Sequence, residues 1–166
     1  MIRRAHTTDT TESYAYYSEC ERYRYALSRK WRDGESLAYI MLNPSKATEV
    51  QNDPTIERCQ RRSVALGYGA MTILNLFAWR ETDPAKLRRV EDPVGEENEA
   101  ALRSACLSAD TILCAWGVNG AHRGQGEIVE ARLREMGKTL HTLGLTKQGY
   151  PRHPLYVSYD TPLQVW

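Results

Sequence analysis

The chain has 166 residues, 42% hydrophobic and 26% charged, and 22 Lys+Arg against 21 Asp+Glu leave a formal net charge of +1. This usage excludes disordered and fibrous classes and predicts one domain with a full core. The charge balance argues against a dedicated duplex-DNA binder, whose affinity rests on phosphate neutralisation. No apolar run approaches the roughly 20 residues of a bilayer span, and Met1-Ile2-Arg3-Arg4-Ala5-His6 carries no apolar signal core. A cytoplasmic protein with no membrane partner is therefore expected. The four cysteines lack CxxC spacing, and Cys59, Cys106 and Cys114 fall in helix or strand patterns, as buried free thiols do.

Residues 1–13 are polar and expected to be flexible, with a single α/β domain over 14–166. Tyr23 to Trp31 alternates aromatic or apolar with basic residues, a period-2 strand. Arg32-Asp33-Gly34-Glu35 carries the Asp-Gly turn signal, which predicts a hairpin with the next strand and an antiparallel edge. Four apolar runs follow, beginning at Leu37, Met71, Thr111 and Leu140, each leading into a polar, turn-forming signature. Runs of this kind with helical patterns between them read as strands of a parallel sheet buried on both faces.

Asp53-Pro54-Thr55 and Thr82-Asp83-Pro84 are helix starts, with Asp as cap and Pro in the first turn. Glu96–Leu107 and Gly126–Met136 give the remaining helices. The predicted fold is a three-layer α/β/α sandwich with a mostly parallel central sheet and an N-terminal antiparallel edge strand. Leu155 to Trp166 adds a turn or short strand. The arginine clusters Arg22/Arg24/Arg29, Arg58/Arg61/Arg62, Arg80/Arg88/Arg89 and Arg132/Arg134 read as solvated faces or as a local basic lip. The tyrosines between Tyr14 and Tyr25 read as a partly buried edge or as a base-stacking surface.

In a parallel sheet, ligands bind outside the carboxyl ends of the strands, where the polar signatures fall. Asn43 precedes Pro44 and Ser45, so it is held extended at a strand end, either as an Asx turn or as a side chain offered to a crevice. Asn75 interrupts Ile73-Leu74 and Leu76-Phe77. If it ties a loop down, its removal costs on the order of 1–3 kcal/mol; otherwise it offers a ligand a donor and an acceptor. His153 lies between Pro151 and Pro154, rigid and near-neutral in pKa, suited to hydrogen bonding a developing anion. His122, within Gly120-Ala121-His122-Arg123-Gly124, lies on a loop where Arg123 and backbone amides suit a phosphate. No P-loop, GxGxxG or HExxH occurs, and neither a metal nor a cofactor is expected.

In this order the signatures resemble the uracil-DNA glycosylase superfamily. Leu42-Asn43-Pro44-Ser45 is similar to its first motif, in the Asn version. Ile73-Leu74-Asn75-Leu76-Phe77 is similar to its base-reading strand, Ala115-Trp116-Gly117 through Gly124 to its third strand and turn, and Arg152-His153-Pro154 to its histidine motif. The resemblance implies a nucleobase, nucleotide or nucleic acid substrate and cleavage of an N-glycosidic bond. Asn43 would hold the attacking water, Asn75 would read the base edge, and His153 would stabilise the departing base. Pro44, Ser45, Phe77, Trp116, Gly117, His122, Arg123 and Arg152 would complete the substrate site. The first motif lacks the aspartate of the most active glycosylases, and Leu155-Tyr156 replaces the serine-containing loop. A non-catalytic base-binding module or a nucleotide-modifying transferase is the alternative. Together with Tyr23-Arg24-Tyr25, Asp53-Pro54-Thr55 and Gly144-Leu145-Thr146-Lys147, the same motifs more closely resemble an uncharacterised bacterial and phage family, domain of unknown function 1643.

Overall fold

A computed structural model describes residues 1–166. Eight strands form one sheet: β1 (Ile2–Thr7), β2 (Glu12–Tyr17), β3 (Arg24–Lys30), β4 (Ser36–Met41), β5 (Ala70–Asn75), β6 (Thr111–Cys114), β7 (Leu140–Thr142) and β8 (Gln164–Val165). Their spatial order is β1-β2-β3-β5-β4-β6-β7-β8. The centre, β5-β4-β6-β7, is parallel throughout. Both flanks are antiparallel, with β1, β2 and β3 on one side and β8 on the other.

Helices cover both faces of the parallel centre. Ile56 and Cys59 of α1 (Pro54–Ala65) pack with Tyr39, Met41, Ile73 and Leu113 on one face. Leu102 and Cys106 of α3 (Asn98–Ser108) and Val129 and Leu133 of α4 (Gln125–Glu135) pack with Ala38, Ile40, Leu74 and Cys114 on the other. Alternate residues of the central strands thus serve opposite cores, which is why β4 and β6 read as near-continuous apolar runs. The predicted caps are in place: Asp53 accepts from Ile56 N at 2.9 Å, and Asp83 accepts from Ala85 N at 2.9 Å ahead of the short α2 (Pro84–Leu87). No helix is long and apolar enough to cross a membrane.

Two predicted features are corrected. Instead of a flexible lead-in, residues 2–7 pair along β2, and Thr8–Thr11 closes the turn with a backbone hydrogen bond of 2.9 Å. A polar composition suits this strand because it is the sheet edge, with most of its side chains in water. The expected hairpin between β3 and β4 does not form either, because β5 inserts between them, antiparallel to β3 and parallel to β4. The connection at 31–35 therefore spans two interstrand spacings, about 9.6 Å, and wraps the start of β5. Trp31 N and Arg32 N both donate to Gly69 O, and Gly69 N donates to Glu35 O. A Cβ at Gly69 would lie 2.6 Å from Arg32 O, so glycine is needed at this close approach.

Candidate functional site

Strands β4, β5 and β6 end on the same side, and the chain leaving them walls a cavity of about 490 Å³. Asn43, Pro44 and Ser45 line it from the end of β4, and Asn75 from the last position of β5. Trp116 and Gly117 enter from the end of β6, and His153 from the segment after β7. Gly117 takes φ +71°, turning the chain away from the strand, and its N–H donates to Pro151 O at 2.8 Å. That bond docks the His153 segment beside β6.

The two asparagines are held in opposite ways. Asn43 Nδ2 points at the carbonyls of Glu81 (2.6 Å), Pro44 (3.1 Å) and Trp79 (3.4 Å), so it fastens the loop between β5 and α2. Three carbonyls on one side fix the amide orientation and leave Oδ1 as its free acceptor. Asn75 is 2% exposed, lines the cavity, and has Oδ1 sealed without any hydrogen-bond partner. No protein group pairs with its Nδ2 either. An unpaired buried amide is unfavourable by roughly 1–3 kcal/mol, so the fold carries here a polar group it does not satisfy. The loop-tying role open to Asn75 from the sequence belongs to Asn43.

His153 Nδ1 accepts from Leu155 N at 3.2 Å, capping the short 3-10 turn Pro154–Tyr156. Its proton is therefore on Nε2, leaving one N–H donor at the cavity wall. Burial pushes the imidazole below its ordinary pKa, against the raising pull of Asp53. The segment is anchored beyond the histidine as well. Arg62 of α1 donates to Ser158 O at 2.9 Å and Val157 O at 2.7 Å, and Arg58 donates to Val157 O at 2.7 Å.

A family described as protein of unknown function (DUF1643) matches residues 24–155. The chain belongs to that family. No curated protein and no solved structure matches it. Every residue lining the DUF1643 cavity, Tyr156 excepted, falls inside the matched stretch.

The remaining predicted site residues divide. Phe77 is fully buried, carries the tilted His122 ring at a centroid distance of 5.4 Å, and does not reach the cavity. Arg123 spends its guanidinium on the carbonyls of Glu91 and Val90, both at 2.8 Å, so the turn at 120–124 is tied to the α2–α3 connection rather than open to a phosphate. Arg152 is exposed and also outside the cavity lining. Trp116 stays in the wall because Gly120 lies flat against it; a Cβ at Gly120 would overlap the indole.

Three charged residues of the lining lie outside the predicted site set: Arg24, Asp53 and Glu81. Arg24 is 1% exposed and donates Nη1 to Ala47 O at 2.7 Å, while its Nε has no partner. Burial lowers its pKa to about 10, opposed by Tyr17 and then Asp53, so it remains a cation at neutral pH. Strand alternation assigns Arg24 to the solvated face with Ala26 and Ser28. A β-bulge between Tyr16 and Tyr17 shifts the register so that Tyr17 faces Arg24, and the arginine turns inward. Arg29 and Arg62 are likewise buried rather than solvated. Asp53 caps α1 as its Asp-Pro-Thr context predicts, and the same residue also lines the cavity.

Proposed function

We propose that the strand-end cavity recognises a nucleobase and that the protein is a hydrolase of the glycosylase type, cleaving an N-glycosidic bond. The observation that carries this reading is the Asn75 amide, buried at a cavity wall with its acceptor unpartnered. A base edge presents adjacent donors and acceptors, the complement of a free carboxamide. Asn43 Oδ1 would hold a water, and His153 Nε2–H would donate to charge developing on the departing base. A neutral imidazole suits that task, since it donates without first requiring a proton from solvent. The glycosylase-like arrangement of the fold belongs to the same proposal and is supported by the parallel strand ends and by Asn43, Asn75 and His153 sharing one cavity.

The test is incubation of the purified protein with uracil-, hypoxanthine- and modified-base oligonucleotides and with free nucleotides. Base release from any of them, lost in Asn75→Ala and His153→Ala, is the expected result. No release and no binding across the set would overturn the reading.

One observation favours a binding module without hydrolysis. Both carboxylates at the cavity are engaged: Asp53 accepts from Ile56 N and Ala47 N, and Glu81 Oε1 accepts from Thr82 N and Asp83 N. Neither is an idle base for activating water. Nucleotide binding with no turnover would assign the protein to that class.

A further inference from the structure

Two fully buried arginines differ in how their guanidinium groups are used. Arg62 places both terminal nitrogens on carbonyls of the C-terminal segment and stacks under Tyr159, its Cζ 5.4 Å from the ring centroid. Arg24 makes one hydrogen bond, to Ala47 O, and lines the cavity. No carboxylate pairs with it. Asp53, in the same cavity, acts on it through space only, both carboxylate oxygens being held by backbone N–H groups. Arg29 and Arg80 add like charge nearby. A guanidinium carries five donors in a planar fork, and a desolvated one without an anion is costly to the fold.

We infer that Arg24 is the anion subsite of this cavity and that the ligand is a nucleoside monophosphate, its base on Asn75 and its terminal phosphate on Arg24. The inference rests on the base-recognising reading of Asn75 and narrows its substrate. Two features favour a small nucleotide over a polymer. Arg24 is 1% exposed, inside the wall rather than at a rim. An internal phosphodiester would need two chain exits to reach it, whereas a terminal phosphate needs none. The volume of about 490 Å³ suits a ligand of this size.

The experiment is calorimetry of the full chain with nucleosides, their 5′-monophosphates, inorganic phosphate, and single-stranded oligonucleotides carrying the same base internally. The monophosphate is expected to bind on the order of ten- to a hundredfold more tightly than its nucleoside. Arg24→Met should erase that difference while nucleoside binding persists, and its melting temperature should change little, since relief of a desolvated charge offsets the hydrogen bond lost to Ala47 O. Equal binding of nucleoside and monophosphate by the unaltered protein overturns the inference, whether or not the variant folds. Oligonucleotides binding as tightly as the monophosphate overturn it too. Failure of every base-bearing ligand, with inorganic phosphate still bound in an Arg24-dependent way, defeats the base-recognising reading and leaves only the anion subsite standing. Failure of phosphate as well defeats both.

Discussion

Two cavities flank the carboxyl end of β5, and they differ in how many of their polar atoms are left without a partner. The one between α3 and α4 has about 620 Å³ and is the larger. There Asn98 donates Nδ2 to Asn75 O at 3.0 Å and to Leu76 O at 3.2 Å, and Gln125 donates to Leu76 O at 3.4 Å. Across the same groove Arg132 pairs with Glu99 at 2.9 Å. The strand-end cavity is smaller, yet Asn75, Arg24 and His153 each bring to it polar capacity that no protein group meets. Volume alone would select the groove between the helices. Asn98 Oδ1 is left unpartnered in the groove too, but the strand-end cavity gathers more such atoms, on Asn75, Arg24 and Trp116. That concentration selects it, because a fold keeps costly unpaired groups mainly where something else completes them.

Exchanging the asparagines on the two sides of β5 separates the roles most sharply. Asn75→Ala is expected to weaken nucleotide binding by on the order of a hundredfold or more while changing the melting temperature little, because no protein partner is orphaned. A large loss of stability would return Asn75 to the structural role. Asn98→Ala should do the reverse: two carbonyls lose their donor, and stability falls by about 2–3 kcal/mol in denaturant titration. If Asn98→Ala is neutral, the contrast between the cavities collapses.

Asn43→Asp is a finer probe. It sets a carboxylate against the carbonyls of Glu81 and Pro44, so a loss of about 1–2 kcal/mol is expected rather than a gain of activity. Activation by this variant would show that the loop re-forms around the new charge.

The smallest effect is in pH. Burial holds the folded His153 pKa below its unfolded value, so its stabilising contribution is complete above about pH 6.5 and declines as pH falls toward the folded pKa. His153→Gln should flatten that part of the stability profile. A residual slope is expected from His122, which burial, then Arg123 and Arg88, also push down. An unchanged profile would show that His153 is not held neutral.

Much of the centre was legible from residue order alone. The four apolar runs are β4, β5, β6 and β7, parallel and adjacent, because a strand buried on both faces is apolar at most of its positions. Asp53-Pro54 and Asp83-Pro84 start helices because capping is decided within one turn of chain. The strand-end positions of Asn43 and Asn75 follow from the same local signals. Tertiary structure decided the rest. That β5 would divide β3 from β4 depends on pairings between residues about forty positions apart, which no turn signal at Asp33-Gly34 encodes. That Arg24 would face inward depends on a bulge against β2, and one residue of register reverses the face of a side chain. That Asn43 would be satisfied and Asn75 left open depends on which carbonyls a distant loop brings within reach. Periodicity and capping are short-range and can be read along the chain; register and hydrogen-bond satisfaction are long-range and exist only once the sheet has closed.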